Sequence, residues 1–172
     1  MGKLIFLGII LLVSTNILAQ EATTKKIEKF TELKAYDRII VTLVKGNENK
    51  VVISGDDKDE VNISNKNGLL KIKMEFDNFM DGDEAKATLY YTEDLTLIDA
   101  NENAKIKSDE IFEGERVEIK TQEAGKIDLK VDLKDLYAKS ISGGEVTLSG
   151  TAKVQEVLVN TGGKVYNKNL NT

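Results

Sequence analysis

Histidine, cysteine, proline and tryptophan are all absent from this 172-residue sequence. Their absence excludes His-based catalytic triads, His or Cys zinc sites, thiol nucleophiles and any disulfide framework. Arginine is scarce as well, with only Arg38 and Arg116. The 24 basic residues are outnumbered by 29 acidic ones and mixed evenly among them, giving a net charge of -5. A nucleic-acid surface needs a basic patch of one sign, so no nucleic-acid partner is expected. The length fits one ordinary domain.

The only long apolar run is at the start. Met1-Gly2-Lys3 gives a positive end, Leu4 to Val13 is apolar, and Ser14 to Gln20 turns polar with Ala19 as a small residue suited to cleavage. This is the pattern of a secretory signal peptide over residues 1–19. The run is shorter than the roughly 20 residues that a spanning helix needs. No cysteine follows it, so a lipid anchor is excluded. The expected mature chain is a single domain over 20–172, exported to the periplasm, the outer surface or the medium, and held together without disulfides.

Beyond the leader, apolar residues alternate in Ile39-Val41-Leu43, Val51-Ile53, Val61-Ile63, Leu70-Ile72-Met74 and Ala85-Ala87-Leu89. A period of two marks half-buried strands. Gly46-Asn47-Glu48-Asn49, Gly55-Asp56-Asp57 and Asn65-Lys66-Asn67-Gly68 punctuate them, and Asn-Gly suits a tight turn because both residues tolerate positive φ. Such short connections predict mostly antiparallel neighbours from Asp37 to Tyr91. Ile27, Phe30 and Leu33 fit one helical face or an extended segment; the strand-rich context favours the latter.

The second half repeats. Ile106, Ile127, Val146 and Val165 follow one another at steps of 21, 19 and 19 residues. Two residues before each stand Ala104, Gly125, Gly144 and Gly163; six before, Ala100, Thr121, Ser140 and Val159; eight before, Ile98, Ile119, Ala138 and Val157. Every column is small or apolar, while the intervening positions are mostly polar. A period near twenty with preserved inward columns predicts an all-β, right-handed parallel β-helix, a solenoid with antiparallel N-terminal strands. The glycine column is expected to supply the backbone angles of sharp turns between coils. An antiparallel sandwich also recurs at short intervals, but the ungapped register over four columns favours the solenoid.

The run Phe30-Thr31-Glu32-Leu33, then Arg38 to Leu43, Gly46, Val51 to Asp56 and Asn67 to Ile72, resembles the opening of the head GIN domain of putative auto-transporter adhesins. Ser142-Gly143-Gly144-Glu145-Val146 and Thr161-Gly162-Gly163-Lys164-Val165 resemble that family's serial coil motif. The resemblance spans most of residues 27–172. It implies a secreted β-helix of the Bacteroidetes type with an adhesin-like role, and it carries over no catalytic residue. Family members run on for further coils, whereas this sequence stops at Asn169-Leu170-Asn171-Thr172. The resemblance therefore implies either truncation or a C-terminal edge that pairs with another chain.

Candidate site residues are few. Tyr91, Tyr137 and Tyr166 offer rings for stacking on a sugar or anchoring a partner, and equally suit covering neighbouring coils. Lys105, Lys126 and Lys164 share one column with Glu145 and suit either a polyanionic glycan or plain solvation. Asp77, Asp81 and Asp83 lie in an acidic loop that could hold calcium, although Phe79 breaks the helix-loop-helix calcium pattern. No cofactor is implied. The favoured function is non-catalytic, adhesin-like binding of a glycan or protein at the cell envelope. The alternative is a polysaccharide lyase or hydrolase on the same scaffold, with Arg116 as the basic residue.

Overall fold

The computed structural model describes residues 22–75 and 85–172. The leader and the acidic loop at 76–84 fall outside the described residues. In chain order the strands are β1 (Thr23–Lys26), β2 (Glu32–Ala35), β3 (Ile40–Lys45), β4 (Lys50–Ser54), β5 (Val61–Lys66), β6 (Leu69–Met74), β7 (Lys86–Tyr91), β8 (Leu97–Ala100), β9 (Lys105–Thr121), β10 (Lys126–Ser140), β11 (Glu145–Val159) and β12 (Lys164–Asn171). They form one curled, mixed sheet, and the only helical turn among the described residues is Lys58–Glu60.

The columns of the repeat are the rungs of the C-terminal ladder. β9, β10, β11 and β12 pair in parallel, with Ile106 on Ile127, Ile127 on Val146 and Val146 on Val165. Asp128 pairs with Lys107 but Lys130 with Ile111, so β9 carries two extra residues, which explains its longer step. Inward positions in β10 run Ile127, Leu129, Val131, Leu133, then Leu136, Ala138, Ser140. The one-residue slip at Lys134–Asp135 turns the strand from one wall of the sheet onto the next.

The sheet is mixed, where the sequence leads one to expect a right-handed parallel β-helix with antiparallel strands only at its N-terminal end. The N-terminal half also departs from the antiparallel expectation. β3 pairs in parallel with both β7 and β9, and β2 with both β6 and β8. Gly46–Asn49 does not close a hairpin, because β7 lies between β3 and β4 and takes β4 as its antiparallel partner. β1 extends that antiparallel edge. Asn67-Gly68, both at positive φ, does close the antiparallel β5–β6 hairpin. The inward columns thereby extend through both halves: Leu70, Leu33, Ile98, Ile119, Ala138 on one wall and Ala87, Val41, Ile106, Ile127, Val146 on the other. These side chains and the fully buried Phe30 and Phe112 make one continuous core.

Between the walls, five four-residue turns stack: Tyr36–Ile39, Asn101–Ala104, Gln122–Gly125, Ile141–Gly144 and Asn160–Gly163. Each is closed by a bond from its last N–H to its first carbonyl. Both central residues of each have positive φ, the signature of type I′. The turns also bond to one another: Arg38 N–H donates to Glu102 O at 3.0 Å, Asn103 to Glu123 at 2.9 Å, Ala124 to Ser142 at 3.2 Å and Gly143 to Thr161 at 3.2 Å. The glycine column therefore has a different cause from the one expected. Gly125, Gly144 and Gly163 sit after the positive-φ pair, and they are needed because the layer below comes too close. A Cβ on Gly125 or Gly163 would overlap the carbonyl oxygen of Ala100 or Ser140, and one on Gly144 would lie 2.6 Å from Thr121 Oγ1.

Candidate functional site

Outward side chains follow the same register as the core. On the wall made by β7, β3, β9, β10, β11 and β12, one row reads Lys86, Ile40, Lys105, Lys126, Glu145, Lys164. The adjacent row reads Thr88, Thr42, Lys107, Asp128, Thr147, Tyr166. Neighbouring strands in a sheet are about 4.8 Å apart, so each row is a line of evenly spaced groups. A shallow cavity of about 590 Å3 lies along these rows from Ser54 to Thr147. Ammonium groups are its main donors, hydroxyls stand beside them, and Asp128 and Glu145 interrupt the positive charge.

The other wall has a different character. Glu32, Leu97, Glu118, Tyr137 and Glu156 form its central row. A cavity of about 640 Å3 there also includes Arg116 and Asp135. Arg116 Nε lies 3.5 Å from Asp135, with the guanidinium side chain 84% exposed, and Glu118 accepts from Lys120 at 2.7 Å. Further along this wall Lys34 pairs with the buried Asp99 at 3.1 Å. Burial, the largest single effect, pulls the Lys34 ammonium down, but its hydrogen bond to Asp99 and the charges of Asp99, Tyr36 and Glu32 together raise it above its ordinary value.

Lys105, Lys126 and Lys164 are thus brought together in one row, with Tyr166 in the next row of the same wall and 50% exposed. Tyr137 stands on the opposite wall, half-buried between Glu118 and Glu156. Tyr91 is not a surface residue. It shares the inward parity of Ala87 and Leu89, is 4% exposed, and packs its ring 6.1 Å from that of Phe112. Burial pushes its hydroxyl up to about 12. The outward ring is its neighbour Tyr90, with Lys50 Nζ 4.9 Å from the ring centre. Asp77, Asp81 and Asp83 lie outside the described residues, and no group of three potential metal ligands occurs among the described ones.

Lys86, Thr42 and Thr88 complete the lysine wall and are not visible in the repeat spacing. Their signal is local: Lys86-Ala87 and Ile40-Val41 have the same outward-then-inward order as Lys105-Ile106.

The sequence matches the putative auto-transporter adhesin, head GIN domain family over residues 29–172. The chain belongs to this family. A putative adhesin from Bacteroides fragilis NCTC 9343 has a TM-score of 0.71 at 17% identity, over 87% of this chain and 71% of that one. A putative adhesin from Parabacteroides distasonis ATCC 8503 gives 0.58 at 19%, over 88% and 75%. A putative lipid binding protein from the same strain gives 0.59 at 14%, over 81% and 72%. At such identities these neighbours speak to the fold of the GIN domain alone. No curated protein matches the sequence.

Proposed function

We propose that this GIN-domain chain is an exported, non-catalytic module of the cell envelope, with residues 1–19 as its cleaved leader and 20–172 as one domain. Its parallel ladders are read as a β-helix body, and its lysine wall as the binding surface for an acidic glycan or a protein. The observation that carries this reading is the alignment of Lys86, Lys105, Lys126 and Lys164 in one row beside Thr88, Thr42 and Thr147. An extended polymer laid across the strands meets a cation on four of the six layers, β7, β9, β10 and β12, and the hydroxyls of Thr88, Thr42, Thr147 and Tyr166 on β7, β3, β11 and β12. The family description and the neighbours' names, all adhesins but one, support a binding role.

Native electrophoresis through gels containing neutral or acidic polysaccharides tests this. Retardation in an acidic gel, weakened by salt as expected for exposed charges, is the expected result. Replacing Lys105 and Lys126 together by Glu lowers the affinity about tenfold, equivalent to about 1.4 kcal/mol. Unchanged mobility in every gel would remove the glycan from the reading, and clearing of the polymer would replace it with a lyase or hydrolase.

A further inference from the structure

On the wall opposite the lysine wall, one outward row is also rich in cations. Lys71, Lys34, Asp99, Lys120 and Lys139 follow one another across β6, β2, β8, β9 and β10. Neighbours in such a row stand about 4.8 Å apart, and like charges directly opposite one another are destabilising. Asp99 is the one carboxylate in this run. Lys34 takes it at 3.1 Å, and Lys120 turns along its own strand to Glu118 at 2.7 Å. Among the described residues, Lys139 has no ion-pair partner and the Gln122 amide has no side-chain hydrogen bond.

These groups converge. Lys34, Lys120 and Lys139 are half-buried and Asp99 is buried. With Thr121, Gln122 and Ile141 they line a cavity of about 170 Å3, beside the first residues of two of the stacked turns. Asp99 Oδ1 is buried there without a hydrogen-bond partner. A buried carboxylate oxygen with no donor is costly. β11 pairs with the far side of β10, so the cavity lies within the wall and away from its edges.

We propose that this cavity binds one uronate residue, a sugar acid that offers a carboxylate and hydroxyls together, either free or at the end of a chain. The carboxylate sits between the ammonium groups of Lys120 and Lys139, and charge-assisted bonds of this kind are the strong ones. A ring hydroxyl donates to Asp99 Oδ1, another bonds the Gln122 amide, and an apolar ring face lies on Ile141. The cavity has the room of about five or six waters, which one sugar ring fills. Sulfate or acetate brings negative charge against Asp99 without a donor. An amino acid brings a second ammonium to Asp99, beside that of Lys34. A hydroxy acid serves the lysines and the orphaned oxygen with no like-charge contact. The Lys120–Glu118 pair is partly exposed, so exchanging it for the ligand costs little. The site is separate from the lysine wall, and neither reading rests on the other.

Titration of the isotope-labelled protein with sodium galacturonate, followed through its backbone amide resonances, tests this. Saturable shifts are expected at Thr121, Gln122 and Ile141, with galactose, acetate and sulfate binding at least about tenfold more weakly. Lys139→Met lowers the galacturonate affinity about tenfold at an unchanged melting temperature. Replacing Lys105 and Lys126 together by Glu leaves it as it was. The methyl glycoside separates the two sources: equal binding means that a chain end enters, and exclusion means that the free sugar alone does. The absence of saturable shifts, or shifts confined to the lysine wall, overturns the proposal. So do equal binding of sulfate or acetate, tighter binding of glycine, and an unaltered affinity in K139M.

Discussion

From Lys105 to Asn171 the chain climbs its two walls one layer at a time, β9 to β12 in order, whereas from Thr23 to Ala100 it lays the layers down out of order. β2 and β3 are slotted between the β6–β7 layer and the β8–β9 layer, and the chain passes them on its way from β7 to β8. The same inward columns, and type I′ turns of the same form, result in both regions. The difference lies in what holds neighbours together. In the C-terminal half each layer is bonded to the next about 19 residues on; at the junction Ile40 pairs with Lys105, across most of the N-terminal half. Closing a long segment costs more chain entropy than closing a short one. The junction is accordingly secured by several contacts besides the ladders: Lys105 N–H to Ile39 O at 2.9 Å, Arg38 N–H to Glu102 O at 3.0 Å, and the Lys34–Asp99 pair.

The regular half should be the less forgiving of added bulk. Gly125→Val forces side-chain atoms into the Ala100 carbonyl, and overpacking of this kind is expected to cost about 3 kcal/mol or more. Gly46→Val, where a Cβ would meet Tyr90 Cδ1 at an ordinary 3.4 Å, is expected to cost less than about 1 kcal/mol. Urea midpoints of the two variants measure the contrast, and equal losses would break it.

Next comes the junction. Lys34→Met leaves the Asp99 carboxylate buried without its ammonium, and one Asp99 oxygen has no hydrogen-bond partner even with Lys34 in place. A loss of about 2 kcal/mol at neutral pH is expected, below the range for fully buried pairs because Lys34 is partly exposed. Substituting Asp99 by Asn in the same variant should recover part of it; no recovery would mean that Lys34 acts through packing alone.

A smaller effect is set by pH. Glu102, in the turn stacked on that of Asp37, is raised to about 7, first by its hydrogen bond with Asp37, then by burial and the like charges of Asp37 and Glu123. A carboxyl raised on folding contributes stability that is full below its unfolded value near 4.5 and is lost as pH rises through about 7. Stability should therefore carry a falling component between those limits, and Glu102→Gln should remove it. An unchanged pH profile in that variant would detach the two halves' turns from one another electrostatically.

The smallest expected change is a gain. Ala124 has φ 61° at the turn position where the next two layers carry Gly143 and Gly162. The left-handed conformation costs a non-glycine residue about 1–2 kcal/mol, partly offset by glycine's larger loss of freedom on folding. Ala124→Gly should raise stability by about 0.5 kcal/mol in thermal unfolding, and a decrease would show that the Ala124 methyl contributes packing.

The strand alternation, the Asn67-Gly68 hairpin, the four C-terminal columns and the grouping of Lys105, Lys126 and Lys164 were all legible in the sequence. Each is a regularity of neighbouring residues, or of residues one short step apart, and local backbone geometry converts such spacing directly into faces. The tertiary structure alone decided that β7 separates β3 from β4, that Lys86 and Thr88 join the lysine wall, and that Tyr91 points inward while Tyr90 points out. It also decided that the glycine column answers to a close backbone approach below it. Strand pairing is made by backbone groups that are the same for nearly every residue, so the choice among distant partners is not written in any one segment. It emerges only when all the apolar faces are buried together in one core.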